Sequence, residues 1–295
     1  MTGLRVPNRR RQFLIALTLV AGLSLPALAA TQTLPALDRL ESRTTIPRDQ
    51  VQCRLVTGSV QSRRGSGAWL NVIPDQLFSE GDMLRTGDKG MLVLELPLQA
   101  GFVNVLAGST LGVTEMRRLP GFEGAQSSTL VLNSGKAFVR LRKFNRTLSR
   151  FRVNSPNGSA VVRGTEFVVG VVPGNRTTTI GVTSGMVQVS AQDKTVDVRP
   201  GNTTTIVADN APTAVMAVAA TPIRLQRFLP KGDSLDIIGS AAPGSSIVIN
   251  GLQVEMNPAG TFTATIPLSA AASQVTIESL EPTGHVETLS VSAGQ

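Results

Sequence analysis

Short alternations of apolar and polar residues recur through most of this chain. Clear period-two runs are Leu92–Leu96, Ala137–Leu141, Val187–Val189 and Val196–Val198. Successive side chains of a β-strand point to opposite faces, so this alternation predicts strands with one buried face. Gly, Asn, Asp and Pro residues separate the runs, and no amphipathic helical window longer than about three turns is convincing. The pattern therefore predicts an all-β protein.

Glycine turns, each followed closely by an apolar strand start, recur in the first β region. They lie at Gly58, Gly108, Gly135, Gly185 and Gly201. Glycine allows the positive φ that tight strand connections need. The spacings are unequal, so a strict repeat array is not expected. We expect the strands to wind into stacked sheets, as a wound β-sandwich or a short β-solenoid.

A second group of short strands is predicted near the end of the chain. Ile247–Ile249, the Asn250-Gly251 turn and Gln253-Val254 have the pattern of a hairpin. Further strands are predicted at residues 261–266, 274–278 and 286–291. This density of short strands is typical of a small Ig-like β-sandwich.

The N-terminus has the three parts of a secretory signal peptide. Four arginines between Arg5 and Arg11 precede the apolar run Phe13–Leu25, which leads to the small-x-small site Ala27–Ala29. A spanning helix needs about 20 apolar residues, more than this run has. Arg10–Leu14 also fits the core of a twin-arginine signal, so the Sec and twin-arginine routes both stay open. We expect a periplasmic or secreted protein.

Together these features predict five segments. In chain order they are a signal peptide (1–29), a polar tether (30–50), a β domain (51–209), a linker (210–229) and a small β-sandwich (230–295). An exported chain of about 266 residues is long enough to form two domains with separate cores.

Charge and composition exclude several functions. The formal net charge is +8, and the four arginines of the signal account for half of it. The remainder, near +4, is too mild to indicate nucleic-acid binding, and no row of exposed aromatic residues is predicted. The chain has one His, one Cys and no Tyr. We therefore expect no enzyme, no metal site and no cofactor.

The residues with the most reactive side chains also have structural interpretations. Cys53 lies in an alternating apolar context and is expected to be a buried small hydrophobe. His285 lies in a predicted turn, where a solvent-facing position is expected. Asp82 and Asp88 follow glycines, and Asp at such positions more often bonds the turn backbone than binds calcium.

A basic run is the best candidate for a binding site. Strand alternation puts Arg140 and Arg142 on one face of a strand, and Arg150 and Arg152 on one face of the next. If these strands pair, a positive strip forms beside Phe138. It could bind an anionic cell-wall polymer, lipid head groups or an acidic protein surface. A solvated face that prevents edge pairing is the alternative.

Two stretches of the first β region resemble the FecR domain family. They are Phe151-Arg-Val-Asn-Ser-Pro156 and Val162-Arg-Gly-Thr-Glu-Phe167. Family-like residues also occur, in the expected order, at Val60, Trp69, Gly81-Asp82, Thr86, Gly108–Leu111, Ser184–Val187 and Arg199–Gly201. The resemblance covers about half of the chain and implies an extracytoplasmic domain. The second unit is similar to bacterial Ig-like or glucodextranase-type modules through Pro243–Gly251 and Gly260–Phe262.

The most specific family motif comprises Val162, Arg163, Gly164, Thr165, Glu166 and Phe167. Its functional interpretation is a recognition pair formed by Arg163 and Glu166. Its structural interpretation, which we favour, is a charge pair or backbone clamp at a kink made by Gly164.

Membrane-bound regulators of the FecR family place a sigma-factor-binding cytoplasmic segment before a membrane helix. Only twelve residues precede the apolar run here, so we expect neither that segment nor the signalling function. We expect a non-enzymatic extracytoplasmic binding or scaffold protein that contacts an envelope protein or an anionic cell-wall or lipid polymer. The alternative is a membrane-tethered sensor that retains Phe13–Leu25 as an anchor, and only this alternative implies membrane contact.

Overall fold

The computed structural model describes most of the chain after residue 44. The described residues are 45–119, 125–143, 149–172, 174, 176–218, 221–243, 245–250, 252–257, 259–267, 274–281 and 285–292. The expected signal peptide (1–29), its interpretation as an anchor and residues 30–44 of the expected tether lie outside them. All described residues belong to one compact unit, residues 33–295. Within these ranges, no helix has the length and apolar character needed to cross a bilayer.

The first β region contains seventeen strands and one 3₁₀ turn, Pro97–Gln99, in its described part. The strands are β1 Gln50–Thr57, β2 Val60–Arg64, β3 Leu70–Asn71, β4 Leu77–Ser79, β5 Asp82–Thr86, β6 Met91–Glu95, β7 Gly101–Val105, β8 Thr110–Arg118, β9 Gln126–Leu141, β10 Arg150–Ser155, β11 Gly158–Val162, β12 Glu166–Val171, β13 Thr177–Ser184, β14 Val187–Ala191, β15 Lys194–Val198, β16 Asn202–Val207 and β17 Met216–Ala217. The all-β prediction is confirmed.

These strands form two layers that the chain visits alternately. Layer A has the order β4-β1-β6-β7-β9-β12-β13-β16-β17. Layer B has the order β3-β2-β5-β8-β9-β10-β11-β14-β15. Their facing sides enclose a large apolar core that includes Val51, Leu84, Leu130, Phe151 and Phe167. This alternating path of the chain fits the predicted wound β-sandwich.

Strand β9 belongs to both layers because it folds back on itself. Its first half pairs with β8 and β10 in layer B, and its second half pairs with β7 and β12 in layer A. Gly135 lies at the crossing with φ +85°, and a Cβ there would lie 2.2 Å from Ser109 Oγ. Only glycine fits this conformation and this approach. The fold-back brings both ends of β9 to the same end of the sandwich.

The second β body has seven strands in its described part. They are β18 Arg224–Lys231, β19 Ser234–Ser240, β20 Ser246–Ile249, β21 Leu252–Val254, β22 Thr261–Pro267, β23 Gln274–Leu280 and β24 Val286–Ser292. A three-stranded sheet, β18-β19-β22, faces a four-stranded sheet, β21-β20-β23-β24. Leu235, Ile237 and Phe262 from one sheet meet Ile249 and Ile277 from the other in a separate apolar core.

A third apolar cluster joins the two β bodies. Met91, Phe138 and Val168 on the outer face of layer A pack with Val248 and Leu280 of the second body. Layer A is therefore covered on both sides, which explains why all five residues of β6, four of them apolar, are buried. We call this cluster the junction.

Several local predictions are confirmed. Strands β20 and β21 form the expected hairpin, with Ile249 opposite Leu252. The five turn glycines all have positive φ, between +63° and +85°. The boundaries of the five segments, including the linker, and the Ig-like assignment of the second body stay predictions.

Candidate functional site

A cavity opens at the end of the sandwich where both ends of β9 lie. Its volume is about 390 Å³. The start of β9, the residues after its end, the start of β10 and the turn after β6 all contribute to its wall. The lining residues are Arg48, Leu96, Pro97, Leu98, Gln99, Ala100, Gln126, Ser128, Arg142, Lys143, Ser149, Arg150 and Phe151.

Four cationic side chains line this cavity, which we call the cationic cavity. Arg142, Lys143 and Arg150 are exposed, and Arg48 is half-buried. Among the described residues, no acidic side chain lines the cavity, and none of the four cations forms an ion pair. Like charges on a concave surface focus a positive potential that attracts anions. The cavity is therefore electrostatically suited to an anionic ligand.

Two buried polar atoms at the cavity have no hydrogen-bond partner in the described chain. Gln126 is only 9% exposed, and its Nε2 donates to the carbonyl oxygen of Arg48. Its Oε1 accepts no hydrogen bond, and Arg48 Nη1 donates none. A buried polar atom without a partner costs about 1–3 kcal/mol. Both atoms are buried from solvent, so they lie behind the cavity surface rather than on it.

The cavity rim contains strained backbone. Leu98 and Gln99, in the 3₁₀ turn, have φ of +58° and +54°. Non-glycine residues in this region each cost on the order of 1–3 kcal/mol, and such strain concentrates at ligand sites. Arg142 holds the turn in place, because its backbone N–H donates to the Ala100 carbonyl at 2.9 Å and its Nη1 donates to Gln99 Oε1 at 3.4 Å.

The four arginines of the predicted strip are not arranged as one strip. Arg150 lies opposite Ser127 of β9, not opposite Arg140 or Arg142, because β10 pairs in parallel with the first half of β9. Arg142 and Arg150 nevertheless meet across the cationic cavity. Arg152 is exposed outside it.

Arg140 has a different environment from its neighbours in sequence. Its side chain is 13% exposed, and its Nε lies 3.1 Å from Oε1 of Glu166 on β12. Its guanidinium also lies 5.8 Å from the centre of the Phe138 ring. Arg140 is thus a part of the packed sheet rather than of a solvent-facing strip.

Sequence reasoning missed Arg48 and Gln126 as members of this site. Arg48 falls in the segment expected to be a tether, and Gln126 begins a strand without any charge or motif that marks it. The hydrogen bond between them joins residues 78 positions apart. No local signal reports such a contact.

The motif Val162–Phe167 supports one wall of the cavity. Gly164 has φ +83°, and a Cβ on it would lie 2.4 Å from the Cα of Lys143. The Thr165 carbonyl accepts a hydrogen bond from the backbone N–H of Leu141 at 3.0 Å, and Phe167 is fully buried. Both contacts hold the chain where it leaves β9 and enters the cavity.

The two charged residues of the motif do not pair with each other. Glu166 binds Arg140, and Arg163 is exposed. The position of Gly164 against Lys143 is consistent with a backbone clamp, although the charge partner differs from the expected one. A recognition role for Arg163 stays a prediction.

Residues 82–188 match the FecR protein family. This segment, the FecR-like segment, covers just over a third of the chain. It contains every described residue that lines the cationic cavity except Arg48. No curated protein matches the chain.

Solved structures overlap the chain only in part. Two crystal structures of a candidate anti-sigma factor from Parabacteroides distasonis share 16% identity with it, at a TM-score of 0.37. The overlap covers 46% of this chain and 59% of that protein. A polysaccharide lyase overlaps 82% of this chain and 39% of the lyase, at 9% identity and a TM-score of 0.21. TM-scores this low assign no function.

Outside the cavity, the reactive side chains have structural surroundings. Cys53 is fully buried, as predicted, and burial raises the pKa of its thiol to about 12. Asp82, at the start of the FecR-like segment, accepts a hydrogen bond from the backbone N–H of Ser79 at 2.8 Å, which confirms its turn role. His285 is half-buried rather than solvent-facing as predicted, and its Nε2 lies 3.3 Å from Glu287 Oε2. No three metal-ligating side chains converge within the described ranges.

Proposed function

We propose that this chain is a non-enzymatic binding protein of the bacterial cell envelope that holds an anionic ligand in the cationic cavity. The observation that carries the proposal is the convergence of four cations on one concave surface, without an acidic partner among the residues that the structure describes. The match of residues 82–188 to the FecR protein family supports a role for this part of the chain in the envelope.

Export is supported by the composition of residues 1–29. Basic residues, an apolar run and a small-residue site follow in the order of a secretory signal, for the Sec or the twin-arginine route. N-terminal sequencing of the exported chain should begin at Ala30 or Thr31. A chain that keeps Phe13–Leu25 would support the membrane-tethered sensor instead.

A solvated cationic face is the simpler explanation of exposed arginines, and the geometry favours binding over it. Mutual repulsion is lowest when surface cations spread over a convex surface and water screens them over about 8 Å. Here Arg142, Lys143 and Arg150 meet Arg48 around a cavity. A ligand-sized concave site with strained rim residues is the common setting of a binding site.

The test compares two double variants with equal charge change. Arg142→Glu with Arg150→Glu alters the cavity, and Arg152→Glu with Arg163→Glu alters exposed arginines outside it. The exported chain should be retained on immobilised polygalacturonate, and retention should weaken as salt rises. The cavity variant should lose retention, while the control variant keeps most of it. Equal loss in both would mean that only overall charge matters and would overturn the proposal.

A further inference from the structure

We infer that β15 is a docking edge at which two copies of this chain pair in antiparallel orientation to form a dimer. Four strands end the two layers in the described chain, and β15 is the longest of them, with five residues against two or three in β3, β4 and β17. A sheet edge with exposed backbone is a template for pairing with another strand. This dimer does not depend on a ligand in the cationic cavity.

A two-residue turn joins β14 to β15. Gln192 and Asp193 form it, with φ of +47° and +55°, and Ala191 lies opposite Lys194 across it. In a hairpin of this kind the residues next to the turn form a hydrogen-bonded pair, and such pairs recur at every second position. The even-numbered residues of β15 therefore bond to β14 through their backbone.

The two odd-numbered residues of β15, Thr195 and Asp197, direct their backbone N–H and C=O groups away from β14. Both residues are exposed, and no other strand in the described part of the chain pairs with β15. A partner strand can bond to these groups in the same way as a neighbouring strand does inside a sheet.

A protected edge is the other explanation of β15. Edge strands are often blunted by a lysine, a proline or a bulge in their central part. β15 contains no proline, and its pairing with β14 is regular. Its lysine, Lys194, lies beside the turn rather than in the centre of the strand. The three residues from Thr195 to Asp197 therefore lack these devices.

Charge selects one register for a two-fold pair of β15 strands. Antiparallel pairing of the outward-facing groups centres the two-fold axis on residue 195, 196 or 197. Centring on Thr195 places Asp193 opposite Asp197 of the partner subunit, and centring on Asp197 places this residue opposite its own copy. Like charges directly opposite each other are destabilising. Centring on Val196 avoids both arrangements.

The register centred on Val196 is also complementary. It places Thr195 opposite Asp197 of the partner subunit, where a hydroxyl can donate to a carboxylate. It places Asp193 opposite Arg199 of the partner subunit, and both of these residues are exposed. Val196 itself is half-buried at the margin of the large core, so its own copy would cover the part that is still exposed.

Exposed apolar side chains lie at the same edge of layer A. A short turn leads from β15 to β16, whose neighbour β17 ends that layer. Val215, just before β17, is 37% exposed, and Met216 is 56% exposed. A two-fold axis perpendicular to the sheets keeps layer A of both copies on one side. Pairing through β15 therefore brings these apolar side chains toward the partner, and their burial adds to the hydrogen bonds of the edge.

Sedimentation equilibrium of the purified chain over a range of concentrations measures this dimer. We expect a reversible equilibrium between monomer and dimer. Thr195→Pro removes an outward N–H that β14 does not use, and it should raise the dimer Kd at least about tenfold. Thr195→Ser is the matched control, because it keeps the N–H and the hydroxyl group, and it should change the Kd less than about threefold.

A charge exchange tests the register. Arg199→Asp places two acids opposite each other at both ends of the paired strands and should raise the Kd about fivefold or more. Adding Asp193→Arg to Arg199→Asp restores opposite charges and should bring the Kd back toward that of the natural chain. Urea denaturation of each variant shows whether it is folded.

Other outcomes contradict the inferred dimer. A chain that stays monomeric up to about 1 mM has no such docking edge. A dimer with the same Kd in the natural chain, Thr195→Pro and Arg199→Asp forms through another surface. If Thr195→Pro does not fold, the charge exchange decides, and a double variant as weak as Arg199→Asp alone would mean that pairing centred on Val196 is wrong.

Discussion

At the scale of the residue, Gly164 fixes the position of the backbone after β9, where Arg142 and Lys143 line the cavity. Its φ of +83° is unfavourable for residues with a Cβ, and a Cβ would lie 2.4 Å from the Cα of Lys143. Backbone cannot swing away as the end of a long side chain can. Any larger residue must therefore move Lys143, and with it the wall that carries Arg142.

Replacing this glycine separates conformational strain from the close approach. Gly164→Ala should lower the free energy of unfolding by about 2–5 kcal/mol, because the strain of positive φ, about 1–2 kcal/mol, and the clash, about 1–3 kcal/mol, act together. Gly81→Ala is the matched control: Gly81 has φ +91°, but a Cβ there has nothing within 4 Å. It should cost about 1–2 kcal/mol, from the conformation alone. Urea denaturation measures the free energy of unfolding of both variants. Equal losses would show that the backbone near Lys143 moves aside without cost.

At the scale of the element, the end of β9 lies between two arginines, Arg140 and Arg142, that have different roles. Arg140 is the penultimate residue of β9 and pairs with Glu166 across to β12. Arg142 follows the end of the strand, where it is exposed at the cavity. Strand alternation puts them on one face, but only one of them remains inside the sheet.

The two arginines should therefore respond differently to the same substitution. Arg140→Met should lower the free energy of unfolding by about 1–3 kcal/mol, because Glu166 loses a partner in a largely buried place. Arg142→Met should lower the free energy of unfolding by less than about 1 kcal/mol, because it loses only an exposed side-chain hydrogen bond to Gln99 and keeps the backbone bond to Ala100. Retention on polygalacturonate should fall for Arg142→Met and hold for Arg140→Met. A reversed pattern would contradict both assignments.

At the scale of the whole molecule, a half-buried lysine lies at the junction. Lys136 lies next to Phe138 on the outer face of layer A, and its Nζ is 3.5 Å from Ser246 Oγ of the second body. Burial lowers the pKa of Lys136 to about 8. Docking of the two bodies therefore disfavours the charged form of this side chain.

This shift predicts a pH-dependent difference between the natural chain and Lys136→Met. Between pH 8 and 10.5 the unfolded chain keeps the lysine proton that the folded chain has lost. The free energy of unfolding of the natural chain, measured relative to that of the variant, should therefore rise as the pH rises through this range. The total rise should be roughly 1–3 kcal/mol. Cys53, with its raised pKa, destabilises both proteins equally above pH 9 and cancels in the difference. Lys194→Met, at an exposed position, should show no such rise in urea denaturation.

The sequence alone determined the strands, many turns and the basic character of one region. Alternation in runs such as Ala137–Leu141 is a local property, because each side chain's face depends only on its neighbours. Turn glycines are equally local, since positive φ excludes most other residues at a single position. For the same reason the all-β class and the burial of Cys53 were predictable.

Only the tertiary structure decided which residues form the site. The fold-back of β9 at Gly135 brings Gln126 to the same end of the sandwich as Arg142, and Arg48 reaches them from before β1. The parallel pairing of β10 with β9 sets Arg150 beside Arg142 instead of making a four-arginine strip. These contacts join positions far apart in the chain, so their energies depend on the complete path of the backbone and leave no pattern in any short window of sequence.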